Sequence, residues 1–146
     1  VFARLGIEPG ADESEFVQSI GGRICRADIF SHSLVVRGPG RFDVYVPQTC
    51  GLFDTRHLVA RALGHYILHF PRIDKLEGYE MQVPRKLSGN ATWEAGVFAL
   101  AFLVPSDILR AEMARSNNIL VDVASILRVS HSLVHARVNQ LGLLAA

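Results

Sequence analysis

Cysteine is scarce in this chain, which has only Cys25 and Cys50. The two stand at no metal-ligand spacing, which excludes a cysteine-built zinc module and a multi-disulfide scaffold. Two ordinary thiols in a reducing cytoplasm is the reading that follows, with a single Cys25–Cys50 disulfide as the alternative. An excess of one charge sign is also lacking. The 15 Lys and Arg against 14 Asp and Glu leave a net charge of +1, so the balance points to no nucleic-acid or membrane-surface partner. The longest apolar run, Ala95 to Val104, is too short to span a bilayer. No signal-peptide pattern opens the chain, and repeats and low-complexity linkers are absent. A cytoplasmic protein with no membrane partner is expected.

What is present is a globular composition. A hydrophobic fraction of 49% with 20% charged residues is enough to build a core and argues against disorder. The length of 146 residues fits one domain with a small appended subdomain. The chain begins at Val1 rather than Met, which leaves room for an upstream domain. "GADESEFVQSIGG" reads as a short helix capped by Asp12 or Ser14 and stopped at Gly21-Gly22. "RICRADIF" reads as a strand. "SLVVRGPGRFDVYVP" is two β-rich runs around Gly38-Pro39-Gly40, a hairpin, and Phe42, Val44 and Val46 alternate with Asp43 and Tyr45.

Asp54 to Phe70 is the clearest helix. Val59, Leu63, Tyr66, Ile67 and Phe70 form its apolar face, and His57, Arg61, His65 and His69 a second row at i+4 spacing. Gly64, mid-helix, is expected to pack closely against the sheet. The polar stretch from Arg72 to Asn90, broken by Pro84 and Gly89, reads as loop. A helix from Thr92 to Leu103 follows, with Trp93 and Phe98 in the core. Another begins at Ser106 as N-cap, and the last segment divides at Val129-Ser130 into two short helices. The fold class is α+β: a small three-stranded sheet packed on one helix, then a helical C-terminal part. The domains are expected at 1–105 and 106–146.

"RHLVARALGHYILH" resembles the metal-binding helix of the ImmA/IrrE metallopeptidase-like proteins of bacteria, phages and mobile elements. That family shows a pattern like R-F-T-x-A-H-E-L-G-H-Y-x-L-H. "RFDVYVP" before this helix, "TWEAGVFALAFLVP" after it and "VASILRVSHSLVHARVNQLGLL" at the end extend the resemblance over most of the chain. It implies a zincin-like fold with a C-terminal part of helix-turn-helix character. It also implies zinc held by two His on one helix and a Glu on the next, with a Glu base beside the first His. It further implies a bacterial or phage regulatory role, in which active members cut a helix-turn-helix repressor.

Position by position, the chemistry implied by the resemblance is altered here. The first ligand position is Arg61, which has no lone pair to give a metal. The base position is Ala62. The second ligand position is His65. The third, thirteen residues before the closing Pro105, is Thr92. Glu94 is two residues further, roughly 200° around the helix. A catalytically inactive family member is therefore expected, with no bound cofactor and His65, His69 and Glu94 as vestigial metal candidates. Arg61, His65 and Thr92 become binding residues. Arg61 either pairs with Glu94 or another acid, engages a partner's carboxylate, or runs out to solvent. An extended segment would lie along "RFDVYVP" or its hairpin partner. The expected partner is a helix-turn-helix repressor or an upstream domain. Two alternatives stand beside this. One is a residual zinc peptidase with noncanonical ligands. The other is a DNA-binding regulator presenting His131, His135, Arg137, Asn139 and Gln140 from its C-terminal helices.

Overall fold

Pro39-Gly40 makes the turn on which the sheet is organised. Proline sets φ for the first turn position and Gly40 takes φ +70° at the second, the residue pattern of a type II turn. The computed structural model describes residues 13–27, 32–72, 80–85 and 88–143, so the expected cap Asp12 and the end of the "RICRADIF" strand lie outside the described residues. Within them α1 (Glu13–Ser19) is followed by β1 (Gly22–Ala27), β2 (His32–Gly38) and β3 (Arg41–Pro47). Then come α2 (Leu52–Gly64), β4 (Met81–Pro84), α3 (Asn90–Leu103), α4 (Ser106–Arg115), α5 (Leu120–Leu127) and α6 (His131–Leu141).

The sheet has four strands in the order β1-β3-β2-β4, against the three expected. The addition is β4, in the segment read as loop. Its four residues alternate buried Met81 and Val83 with exposed Gln82 and Pro84, a period-2 pattern too short to stand out from sequence. β4 pairs antiparallel with β2, and β1 pairs parallel with β3. The strand "RFDVYVP" is therefore interior, and its hairpin partner β2 lies between β3 and β4. Neither offers the edge expected of it. The edges among the described residues are β1 and β4.

The interior place of β3 also changes Asp43. Alternation put it on a solvated face, yet it is 4% exposed. It sits opposite Arg23 across the parallel pair. It accepts from Arg23 at 3.1 Å and also from Arg37, so both guanidiniums roof it over.

The described residues form two compact units, 13–99 and 100–143. In the first, α1 and α2 meet through the buried pair Glu13 and Arg56 at 3.8 Å. The core holds Val17, Leu34, Val36, Val44, Val46, Val59 and Leu63. The Tyr66 ring stacks on Phe42 at 4.1 Å, and its hydroxyl accepts the Gly40 N–H at 2.9 Å. These contacts pin the hairpin turn to the helix. Gly64 packs against α3 rather than the sheet: a Cβ there would meet Ala95 Cα and O at 3.1 Å. Trp93 is 70% exposed rather than in the core. It lies two residues from Ala95, on the far side of α3 from the buried stripe Ala95 and Ala99.

In the second unit Leu109, Met113, Val123, Leu127, Val134 and Val138 are buried. Pro105, not Ser106, is the N-cap of α4. Arg128 ends α5 at φ 57°. The Val129 N–H reaches Ala124 O at 3.1 Å and the Arg128 N–H reaches Ser125 O at 3.3 Å, a Schellman closure. Ser130 then caps α6 by accepting from the Leu133 N–H at 3.2 Å. Among the described residues no helix is long and apolar enough to cross a membrane.

Candidate functional site

Leu58, Arg61, Ala62 and His65 fall at i, i+3, i+4 and i+7, one stripe of α2 and its extension. That stripe forms one wall of a pocket of about 50 Å³. Val83, Pro84 and Arg85 from the β4 end, Ser33 from β2 and Thr92 from α3 complete it. The expected binding residues Arg61, His65 and Thr92 are thus brought together. Ser33 and the β4 residues escaped the sequence reading, because the segment that carries β4 gave no strand signal.

The helix changes pitch at His65. Residues His65–His69 form a π turn, with the Phe70 N–H bonded back to His65 O. Such turns are rare and concentrate at functional sites. The wider turn stacks residues four apart, and His65 Nδ1 comes to 2.9 Å from His69 Nδ1. His65 is 5% exposed. Burial, then His69 and Arg61, pull its pKa down to about 4. His57 is also lowered, by burial and then by Arg61. His69 presents its other nitrogen, Nε2, to Glu94 Oε2 at 3.6 Å.

The third-ligand count is compatible with this geometry. Thr92 lines the pocket with Arg61 and His65, whereas Glu94 stands against His69. The Thr92 hydroxyl oxygen is buried and has no hydrogen-bond partner among the described residues. Arg85 donates to Tyr45 O at 3.2 Å and Ser33 to Val83 O at 3.3 Å. Arg61 makes no hydrogen bond or ion pair among the described residues.

These side chains do not suit a zinc ion. The pocket wall offers one imidazole, two hydroxyls and two guanidiniums, and a permanent cation at the first ligand position repels a metal. Among the described residues no three His, Cys, Asp or Glu are grouped to hold one. His65 and His69 spend a nitrogen each on one another.

On α6, Arg137 turns inward. Its Nε donates to Val104 O at 2.9 Å and its Nη1 to Gln140 at 2.8 Å. His135 and Asn139 bond each other at 3.2 Å. Of the polar residues expected to be offered from this helix, four are engaged within the unit. His131 is exposed beside them.

A family model described as the IrrE N-terminal-like domain, of the peptidase M78 family, matches residues 53–139. No curated protein matches the chain.

Proposed function

The chain belongs to the IrrE N-terminal-like domain family, and from that premise we propose that it is a non-cleaving member. It works as a regulatory protein-binding module in bacterial or phage gene regulation, without zinc. The observation that carries this reading is the pair Arg61 and Ala62 on the pocket wall, where active relatives are expected to place a ligand and a base. Arg61 cannot ligate, and Ala62 cannot take a proton from a water. The cleft that remains can still hold a peptide. β4, an edge strand beside it among the described residues, has main-chain groups for an extended segment.

The partner in this reading is a helix-turn-helix repressor or a domain upstream of Val1. The α5–α6 pair, joined by residues 128–130, has helix-turn-helix character in a structural role. Arg137 is committed to Val104 and Gln140, which weighs against DNA binding through α6. The test mixes purified protein with a helix-turn-helix repressor of the same genome, then follows complex formation by size-exclusion chromatography and intact mass. A complex with both chains uncut is expected. A shortened repressor would overturn the reading.

A further inference from the structure

Among the described residues the pocket wall carries positive charge and no acid. Arg61 and Arg85 line it, His65 is held neutral, and the other groups are Ser33, Thr92 and apolar side chains. The guanidinium of Arg61 is uncommitted among the described residues. Across from it lies a buried hydroxyl, Thr92 Oγ1, with no hydrogen-bond partner among the described residues. An unmade hydrogen bond in a buried position is costly, so such a group in a pocket wall marks a place where a ligand atom completes the structure. The apolar side chains Leu58, Ala62 and Val83 lower the local dielectric and strengthen any charge pairing there.

We propose that this pocket is a carboxylate receptor. It takes one carboxylate of a bound peptide on Arg61, with the Thr92 hydroxyl donating to the same group. The inference rests on the reading of the cleft as a peptide-binding site and names what the cleft recognises. A volume of about 50 Å³ holds a few water-sized groups, which suits a carboxylate and not a ring. The planar guanidinium matches a carboxylate with two parallel N–H bonds. The carboxylate comes from the C-terminus of the peptide or from a Glu side chain within it.

Binding is read by isothermal titration calorimetry, because Trp93, the one tryptophan, is 70% exposed and does not line the pocket. Three probes separate the sources: N-acetyl-trialanine with a free carboxylate, the same peptide as its amide, and N-acetyl-Ala-Glu-Ala-amide. At least one acid is expected to bind about tenfold or more tighter than the neutral amide, as charge-assisted hydrogen bonds require. Arg61→Gln removes that preference. Thr92→Val weakens the acid by a few-fold and leaves the melting temperature equal or higher, because the lost hydroxyl had no partner to lose. Equal binding of acid and amide would overturn the carboxylate inference and leave peptide binding standing. Equal acid binding by wild type and Arg61→Gln would overturn it too, as would no binding of any probe at millimolar concentration. Tighter binding of inorganic phosphate than of both acids would replace the carboxylate by another oxyanion. Repressor capture without cleavage is read separately, so failure of the module reading is distinguishable from failure here.

Discussion

His65 Nδ1 and His69 Nδ1 stand 2.9 Å apart, so one ring donates an N–H and the other accepts it. Each histidine therefore has one nitrogen left. That of His69 faces Glu94, and that of His65 is the only imidazole nitrogen remaining for the pocket. An H-x-x-x-H pair read as a metal site becomes a hydrogen-bonded couple once the π turn brings the rings together.

Burial of His65, then His69 and Arg61 beside it, makes stability depend on pH. The folded pKa of His65 is about 4 against an ordinary 6.5, so between those values the unfolded chain binds the extra proton. The stability that His65 governs falls as pH drops from about 6.5 to about 4 and levels off below. His57, lowered in the same direction, adds to this window. His65→Gln is expected to flatten melting temperature against pH there, leaving only the His57 part. An unchanged slope would mean that His65 is not held neutral.

Asp43 acts in a lower window. Burial pushes its pKa up, but the hydrogen bonds and charges of Arg23 and Arg37 outweigh it and hold the carboxyl below its ordinary 3.8. Its contribution is present above that value and is lost as pH falls through the lower folded value. Asp43→Asn is expected to cost about 2 kcal/mol at neutral pH. That is less than for a fully buried pair, because the freed Arg23 and Arg37 side chains are 72% and 44% exposed and rehydrate. Urea unfolding at pH 7 and at a series of pH values below 3.8 checks the cost and its progressive loss in acid.

Metal content tests the register of the site. Wild-type protein purified without chelator is expected to carry no stoichiometric zinc. Ala62→Glu alone is expected to give no peptidase activity, because a base needs a metal-bound water. The triple change Arg61→His, Ala62→Glu and Thr92→Glu is expected to bind about one zinc per chain. Zinc held equally well with Thr92 left in place would make Glu94 the third position.

The long helix and its neighbours were legible because their signals are local. Apolar spacing marked α2, Pro39-Gly40 the turn, and Pro105 the end of α3. What stayed hidden depends on partners far along the chain. Asp43 reads as a surface acid until Arg23 and Arg37 arrive from two other strands. Glu13 reads as a first-turn acid until Arg56 is buried beside it. β4 has four residues, and its pairing with β2 is what makes it a strand. Of the site, Arg61, His65 and Thr92 were reached by counting along motifs. Ser33 and Arg85 have no motif to count from, and the π turn leaves no mark in residue type.

Gly64 sets the spacing on which that site rests. In a free helix Gly→Ala gains about 1 kcal/mol. Here the added methyl would meet the Cα and O of Ala95 at 3.1 Å, backbone atoms that cannot yield unless α3 shifts. Overpacking of this kind costs roughly 1–3 kcal/mol, so the clash wins and Gly64→Ala is expected to destabilise by about 1 kcal/mol. Gly96 supplies the control, since it lies in α3 with nothing within 4 Å of an added Cβ. Gly96→Ala is expected to stabilise by up to about 1 kcal/mol. Because Arg61 and Thr92 face one pocket from α2 and α3, Gly64→Ala should also weaken the acid peptide, and Gly96→Ala should not. Denaturant midpoints and calorimetric titration of the acid peptide on both variants measure this. A stabilised Gly64→Ala would mean that α2 and α3 stand further apart than described, and that Arg61 and Thr92 do not share a ligand.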